Sequence, residues 1–177
     1  LVKMAVPGQQ ILPRTSMLMT DEYVEARLYV ELPAREGRIV GSTAERIFFH
    51  ELPAIVNSAL IYHNLDRHDV DEFVDVMEDA DHIRQTLSKR GWVGFVREGS
   101  LLARWRNTDF PDYQRDVPFT VDEALRVESD TTHRGTVRGW GVPAGLTVIV
   151  GDDDSGRIEL MKALALGIYN HIPGDGR

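Results

Sequence analysis

The chain has 177 residues, a net charge of −8 and no cysteine. These facts exclude disulfides and thiolate metal sites, and they set the summed field against nucleic acid and anionic membranes. A composition of 42% hydrophobic and 27% charged residues is that of a soluble globular chain. No apolar run approaches the ~18 residues of a membrane-spanning helix. The opening LVKMAVPGQQILPR lacks the layout of a signal peptide. The absence of cysteine fits a cytoplasmic protein. The chain starts without an initiator methionine and stops at IPGDGR, and so reads as a piece of a longer protein.

In chain order, Val24 to Leu32 alternates apolar and other residues, which predicts one strand with one buried face, ended by Pro33. Ser42 and Glu45 have capping-box spacing and open a predicted helix that continues to Leu60. Pro53 inside it predicts a kink or a split near Leu52. A second helix is predicted from Asp69 to Lys89, capped by Asp69, with Phe73, Val74, Met77, Ala80, Ile83 and Leu87 as its apolar stripe and Gly91 as its left-handed stop. Trp92 to Val96 reads as a strand, followed by a turn in which Gly99 supplies positive φ. Residues 101–118 are polar, aromatic and proline-broken, which predicts a long loop anchored at the surface. A further strand is expected near Gly135 to Arg138 and a turn at Pro143 to Gly145. Leu146 to Val150 is continuously apolar and reads as a strand buried on both faces of a parallel sheet. A helix from Ser155 to Tyr169 should follow, with Ile158, Met161, Leu164, Ala165 and Ile168 on one side. The fold class is therefore α/β: a mixed α+β domain over residues 1–138, then an incomplete strand–loop–helix unit over 139–177.

The loop of that last unit is VGDDDSGRIEL. Gly151 and Gly156 have the spacing of the phosphate-binding pattern G-x-x-x-x-G-K-[ST], between a predicted strand and a predicted helix. The reactive positions depart from it. Arg157 stands in the lysine place, where a planar fork replaces a compact ammonium. Ile158 stands in the hydroxyl place and cannot ligate Mg²⁺. Asp152, Asp153 and Asp154 occupy the turn in which backbone N–H groups would face an anion. At ~4 Å and an effective dielectric of ~20, each carboxylate–phosphate pair costs on the order of 4 kcal/mol, against ~6–8 kcal/mol for a typical nucleotide. A solvated acidic turn at a helix N-terminus is the competing reading. An EF-hand reading fails, because Gly151 and Lys162 would fall at its first and twelfth ligand positions.

VPGQQILPR, YVEARLYVELPA, FFHELPAIVNSAL, RGTVRGWGVPAGLTVIVG and LMKALALGIYNHIPGDGR resemble, in order, segments of the predicted ATPases of the ABC class. The family loop is similar to G-G-G-x-H-G-K-S-T. The resemblance places the glycine turn on Gly151 to Asp154, the histidine on Ser155, the last glycine on Gly156, the lysine on Arg157 and the two hydroxyls on Ile158 and Glu159. It implies an N-terminal domain followed by the start of a P-loop nucleotide-binding domain, with ATP and Mg²⁺ as cofactors. Gly151, Ser155, Gly156 and Arg157 would then be the cofactor-contacting positions, in a loop that looks incapacitated. It also implies a homodimer and leaves association with RNA or a ribonucleoprotein open. No catalytic residue and no metal ligand is assigned to this chain.

The alternative is a non-enzymatic interaction module that engages RNA or a partner through ARWRN, where Trp105 sits between arginines and could stack on a base. His63 and His68 are five apart, off the spacing of a helical metal pair. Glu72, Asp75, Glu78, Asp79 and Asp81 read as a solvated helix face. His50, His82, His133 and His171 receive no role.

Overall fold

Strands in the first forty residues are two or three residues long, too short to bury a face by themselves. The computed structural model describes residues 2–106, 108–115 and 117–177. These divide into two compact units, Leu1–Pro7 with Pro13–Val70, and Gly8–Leu12 with Asp71–Arg177. Strands β1 (Val2–Lys3) and β2 (Gln10–Ile11) open the chain but fall in different units. A strand at Thr136–Pro143 runs across residue 138, the boundary expected from the sequence.

In the first unit, β3 (Met17–Met19) pairs antiparallel with β4 (Val24–Ala26), β1 with β5 (Tyr29–Val30), and β6 (Ala34–Arg35) with β7 (Arg38–Ile39). The single strand expected from Val24 to Leu32 is thus two strands with different partners. Period two is satisfied on each side of the break, and pairing decides where the break falls. Helix α1 (Gly41–Arg46) follows without a side-chain cap: Val40 takes the N-cap position, so the expected Ser42–Glu45 capping box does not form. Near Leu52 the helical run is irregular but not split. A π-turn, Ile47–Glu51, lies directly before α2 (Leu52–Ala59). Pro53 has no N–H to donate to a preceding carbonyl, so regular α-helical bonding cannot run through it.

Helix α3 (Arg67–Leu87) begins two residues before the expected start. Its N-terminal side-chain bond comes from Asp66, whose carboxylate accepts the His68 N–H at 2.9 Å, rather than from Asp69. Gly91 stops the following 3₁₀ turn at φ 69°, as predicted. Of the expected stripe, Val74 is exposed, while Phe73, Met77, Ala80, Ile83 and Leu87 are half-buried.

The core of the second unit is a three-stranded antiparallel sheet ordered β8 (Trp92–Arg97), β10 (Thr136–Pro143), β9 (Arg126–Asp130). Strand β9 was not anticipated, because RVESD is mostly charged; it qualifies through pairing with β10 from Thr136↔Asp130 to Trp140↔Arg126. The close glycines of β10 make room for aromatic rings of β8. A Cβ on Gly141 would lie 2.5 Å from the Trp92 ring, and one on Gly139 would lie 2.7 Å from Phe95 and 2.2 Å from the Val96 carbonyl oxygen. The Trp92 and Phe95 rings stack at 6.1 Å.

The stretch 101–118 is loop apart from a bridge between Arg104 and Pro111 and a 3₁₀ turn at Tyr113–Arg115; its residues 107 and 116 lie outside the described residues. Leu146 to Val150 is not a strand. Leu146 is 94% exposed, Val148 72% and Val150 82%, and among the described residues nothing pairs with it. An apolar run becomes a strand only when a neighbour takes its N–H and C=O groups. Helix α4 (Arg157–Leu166) is shorter than predicted at both ends. Its expected buried stripe is largely turned to solvent at Ile158, Met161 and Ile168. Leu164 instead packs over Gly94 of β8, where a Cβ would stand 3.2 Å from its Cδ2. The last strand, β11 (Asn170–His171), pairs with β2. The chain is therefore mixed α and β, as the pattern of elements predicts, with every pairing among the described strands antiparallel.

Candidate functional site at the Gly151–Arg157 loop

Residues 151–156 form a loop that turns directly into α4. Gly156 is the N-cap, in the left-handed conformation at φ 78°. A side chain there would be strained, so a glycine at the last position of the loop has a backbone reason. The Gly156 carbonyl accepts the Leu160 N–H at 3.0 Å and starts the helix. Ser155 closes the loop on itself: its Oγ donates to the Asp152 carbonyl at 2.7 Å and its N–H to the same oxygen at 3.3 Å. A Cβ on Gly151 would meet the Ser155 Oγ at 2.2 Å, so Gly151 is needed for that closure.

The four residues singled out from the sequence therefore lie together, two with identifiable backbone roles. Asp152, Asp153 and Asp154 are all exposed, so solvent and counter-ions weaken their repulsion of a phosphate further. The heavier objection to Mg-nucleotide lies at the helix start. Arg157 is half-buried, and Ile158 offers only carbon where Mg²⁺ needs oxygen. The residues present do not fit a magnesium-bound triphosphate. Beside the loop, an open groove of about 590 Å³ runs between residues 147–149 and α4. Val148, Ile149, Ile158, Met161 and Ala165 make its wall mainly apolar.

A second cluster lies at the end of the chain, and the sequence reading left its chemistry unread. Asp175, 1% exposed, receives two hydrogen bonds from Arg104 Nη2, at 3.0 and 2.9 Å. Its Oδ2 is also 2.8 Å from His171 Nδ1, and His171 Nε2 lies 3.2 Å from the Leu166 carbonyl at the end of α4. The Ile172 N–H donates to the Gln9 carbonyl at 3.0 Å, and the Leu101 N–H to that of Gly176 at 2.7 Å. Arg177 donates to the Leu102 carbonyl at 3.1 Å, and burial, then repulsion from Arg104, lowers its pKa. Both nitrogens of His171 are engaged within the fold, by Asp175 and by the Leu166 carbonyl, so this Asp–His pair braces the end of the chain. Two of the family-like segments, VPGQQILPR and LMKALALGIYNHIPGDGR, thus meet through β2 and β11.

Residues 103–106 of ARWRN are anchored, as the sequence predicts, while Asn107 lies outside the described residues. Arg104 is committed to Asp175, and Arg106 lies over the Trp105 ring at 5.2 Å. The acidic helix face is exposed at Glu72, Glu78 and Asp81, as expected, but not at Asp79. Asp79 is only 6% exposed and accepts the His133 N–H at 2.7 Å, while Asp75, Glu78 and Glu72 pair with His133 and Arg134. Carboxylate spacing on a helix does not reveal what a distant hairpin brings to it. Among the described residues no helix is long and apolar enough to cross a membrane.

A glycine-ended loop opening into a helix is the part of the P-loop arrangement that the described residues carry. Residues 66–177 match the P-loop domain of the ABC_ATPase family, and residues 1–63 match the N-terminal region of the ATPase of the ABC class. The chain belongs to the family of ABC-class ATPases. A comparison with curated proteins gave no match.

Proposed function

We propose that this chain serves as the N-terminal domain and opening P-loop unit of an ABC-class ATPase, with a loop that keeps the frame of a nucleotide site and has lost its magnesium chemistry. The observation that carries the reading is the run Gly156–Arg157–Ile158. A left-handed glycine leads into a helix whose first two side chains are a guanidinium and a hydrocarbon. Gly151 and Gly156 shape the turn, Ser155 closes it and Arg157 is its one cation. The unit would position or regulate nucleotide chemistry instead of performing it. The family resemblance supports action as a homodimer.

RNA association is less favoured. An open groove on the β8–β10–β9 sheet carries Arg97, Arg134 and Arg138, but Glu98 and Glu128 line it as well. Arg134 and Arg138 are already paired with Glu72 and Glu128.

Calorimetric titration of the chain with ATP and Mg²⁺ tests the proposal. The expected result is no saturable heat up to millimolar nucleotide. Micromolar binding, which corresponds to about 8 kcal/mol, would sink the claim that the loop is incapacitated.

A further inference from the structure

Thr131 to Gly135 forms the tip joining β9 to β10, and it holds its own shape. Thr131 donates through its N–H and its hydroxyl to the Gly135 carbonyl, at 2.9 and 2.8 Å, and Gly135 takes φ 71°. This tip presents His133 to α3. One imidazole nitrogen, Nε2, lies 2.5 Å from Glu78, and the other, Nδ1, lies 3.4 Å from Asp75. The backbone N–H of the same residue donates to Asp79, whose second carboxylate oxygen is buried with no hydrogen-bond partner among the described residues. Arg134 adds an ion pair to Glu72 at 3.5 Å.

Both ring nitrogens face carboxylates, which only accept. A neutral imidazole has one N–H, so one of its nitrogens would turn a lone pair toward a carboxylate. Only the doubly protonated ring satisfies both sides. We propose that the β9–β10 tip is a pH-gated clamp on α3, closed while the His133 ring bridges Asp75 and Glu78 and loosened when that ring loses its charge. The inference does not depend on nucleotide binding and would stand if the reading of the loop failed.

The charged groups facing His133 are Glu78, Asp75 and Asp79, all on α3, and its hairpin neighbour Arg134 is paired with Glu72. The hydrogen bond to Glu78, opposed by desolvation and aided by the charge of Asp75, raises the His133 pKa. The folded value lies above the unfolded one. The clamp's contribution to stability is therefore complete below the ordinary histidine value of ~6.5 and disappears as pH rises through the raised value. The His133 N–H donates to Asp79, so exchange of that amide reports how firmly the tip is held against α3.

The experiment is a pH titration of the isotopically labelled chain by NMR, following the His133 ring signals and hydrogen exchange of the His133 amide. The expected ring midpoint lies above ~6.5. Amide protection, corrected for intrinsic exchange, should fall several-fold across the same pH range. Glu78→Gln should bring the midpoint down toward the ordinary value, and His133→Gln should abolish the pH dependence of protection. A wild-type midpoint at or below the ordinary value overturns the proposal. So does protection that stays constant through the titration, or a midpoint that ignores Glu78→Gln. If either variant fails to fold, the wild-type titration decides by itself.

Discussion

A single nitrogen of Arg104, 71 residues earlier in the chain, donates to both carboxylate oxygens of Asp175, at 3.0 and 2.9 Å. The Arg104 Nη1 donates to the Asp175 backbone carbonyl at 3.0 Å as well. The guanidinium therefore fastens the main chain and the side chain of the GDGR turn together. His171 extends the brace to the end of α4.

Removing one partner of this buried pair leaves the other charge uncompensated. Asp175→Ala should destabilise the chain by ~3–5 kcal/mol, read as a shift in the urea midpoint. Adding Arg104→Met to that variant should recover part of the loss, because no lone charge then remains. A double variant as unstable as the sum of the two single ones would show that Arg104 and Asp175 act independently.

Gly139→Ala places a methyl group 2.2 Å from the Val96 carbonyl oxygen and 2.7 Å from the Phe95 ring. Both neighbours lie on the paired strand, so the strand itself must shift. The expected cost is ~1–3 kcal/mol, with loss of hydrogen-exchange protection along β8 and β10. Unchanged stability would mean that the two strands do not approach as closely as described.

Replacing Leu146, Val148 and Val150 together by serine should change the stability of this chain by no more than ~0.5 kcal/mol per position, the usual range at exposed sites. A buried central strand would lose several times that amount. Thermal or urea unfolding distinguishes the two cases.

The loop is tested by repairing it. Arg157→Lys with Ile158→Ser restores a compact cation and a magnesium-binding hydroxyl. Asp152→Gly with Asp153→Gly removes two of the carboxylates. The four changes together should raise Mg-ATP affinity at least tenfold over the parent, which is ~1.4 kcal/mol. Ile158→Ser should contribute more than the aspartate changes, since the aspartates are solvent-screened. No gain from the full set would place the defect in the backbone of the loop instead of its side chains.

Local features were legible from residue order. Gly91 and Gly99 announced their turns, Pro53 announced the irregular bonding before Leu52, and the WVGFV run announced β8. Each depends on the conformational freedom of a residue or on a short-range pattern, and so needs no distant partner. The loop from Gly151 to Arg157 was legible for the same reason: spacing, the left-handed glycine and the following helix are all local.

What the sequence determined by itself is thus the mixed α and β character, the family of ABC-class ATPases and the chemical departures at Arg157 and Ile158. Only the tertiary structure decided that β9 is a strand, that Leu146 to Val150 is not, and that Val24 to Val30 is divided between two partners. It also decided that Asp79 is buried beneath His133 and that Asp175 is held by Arg104. The physical reason is common to all of these. Strand identity, burial and ion pairing are properties of two segments at once, and the energy that settles them comes from a neighbour that sequence distance conceals.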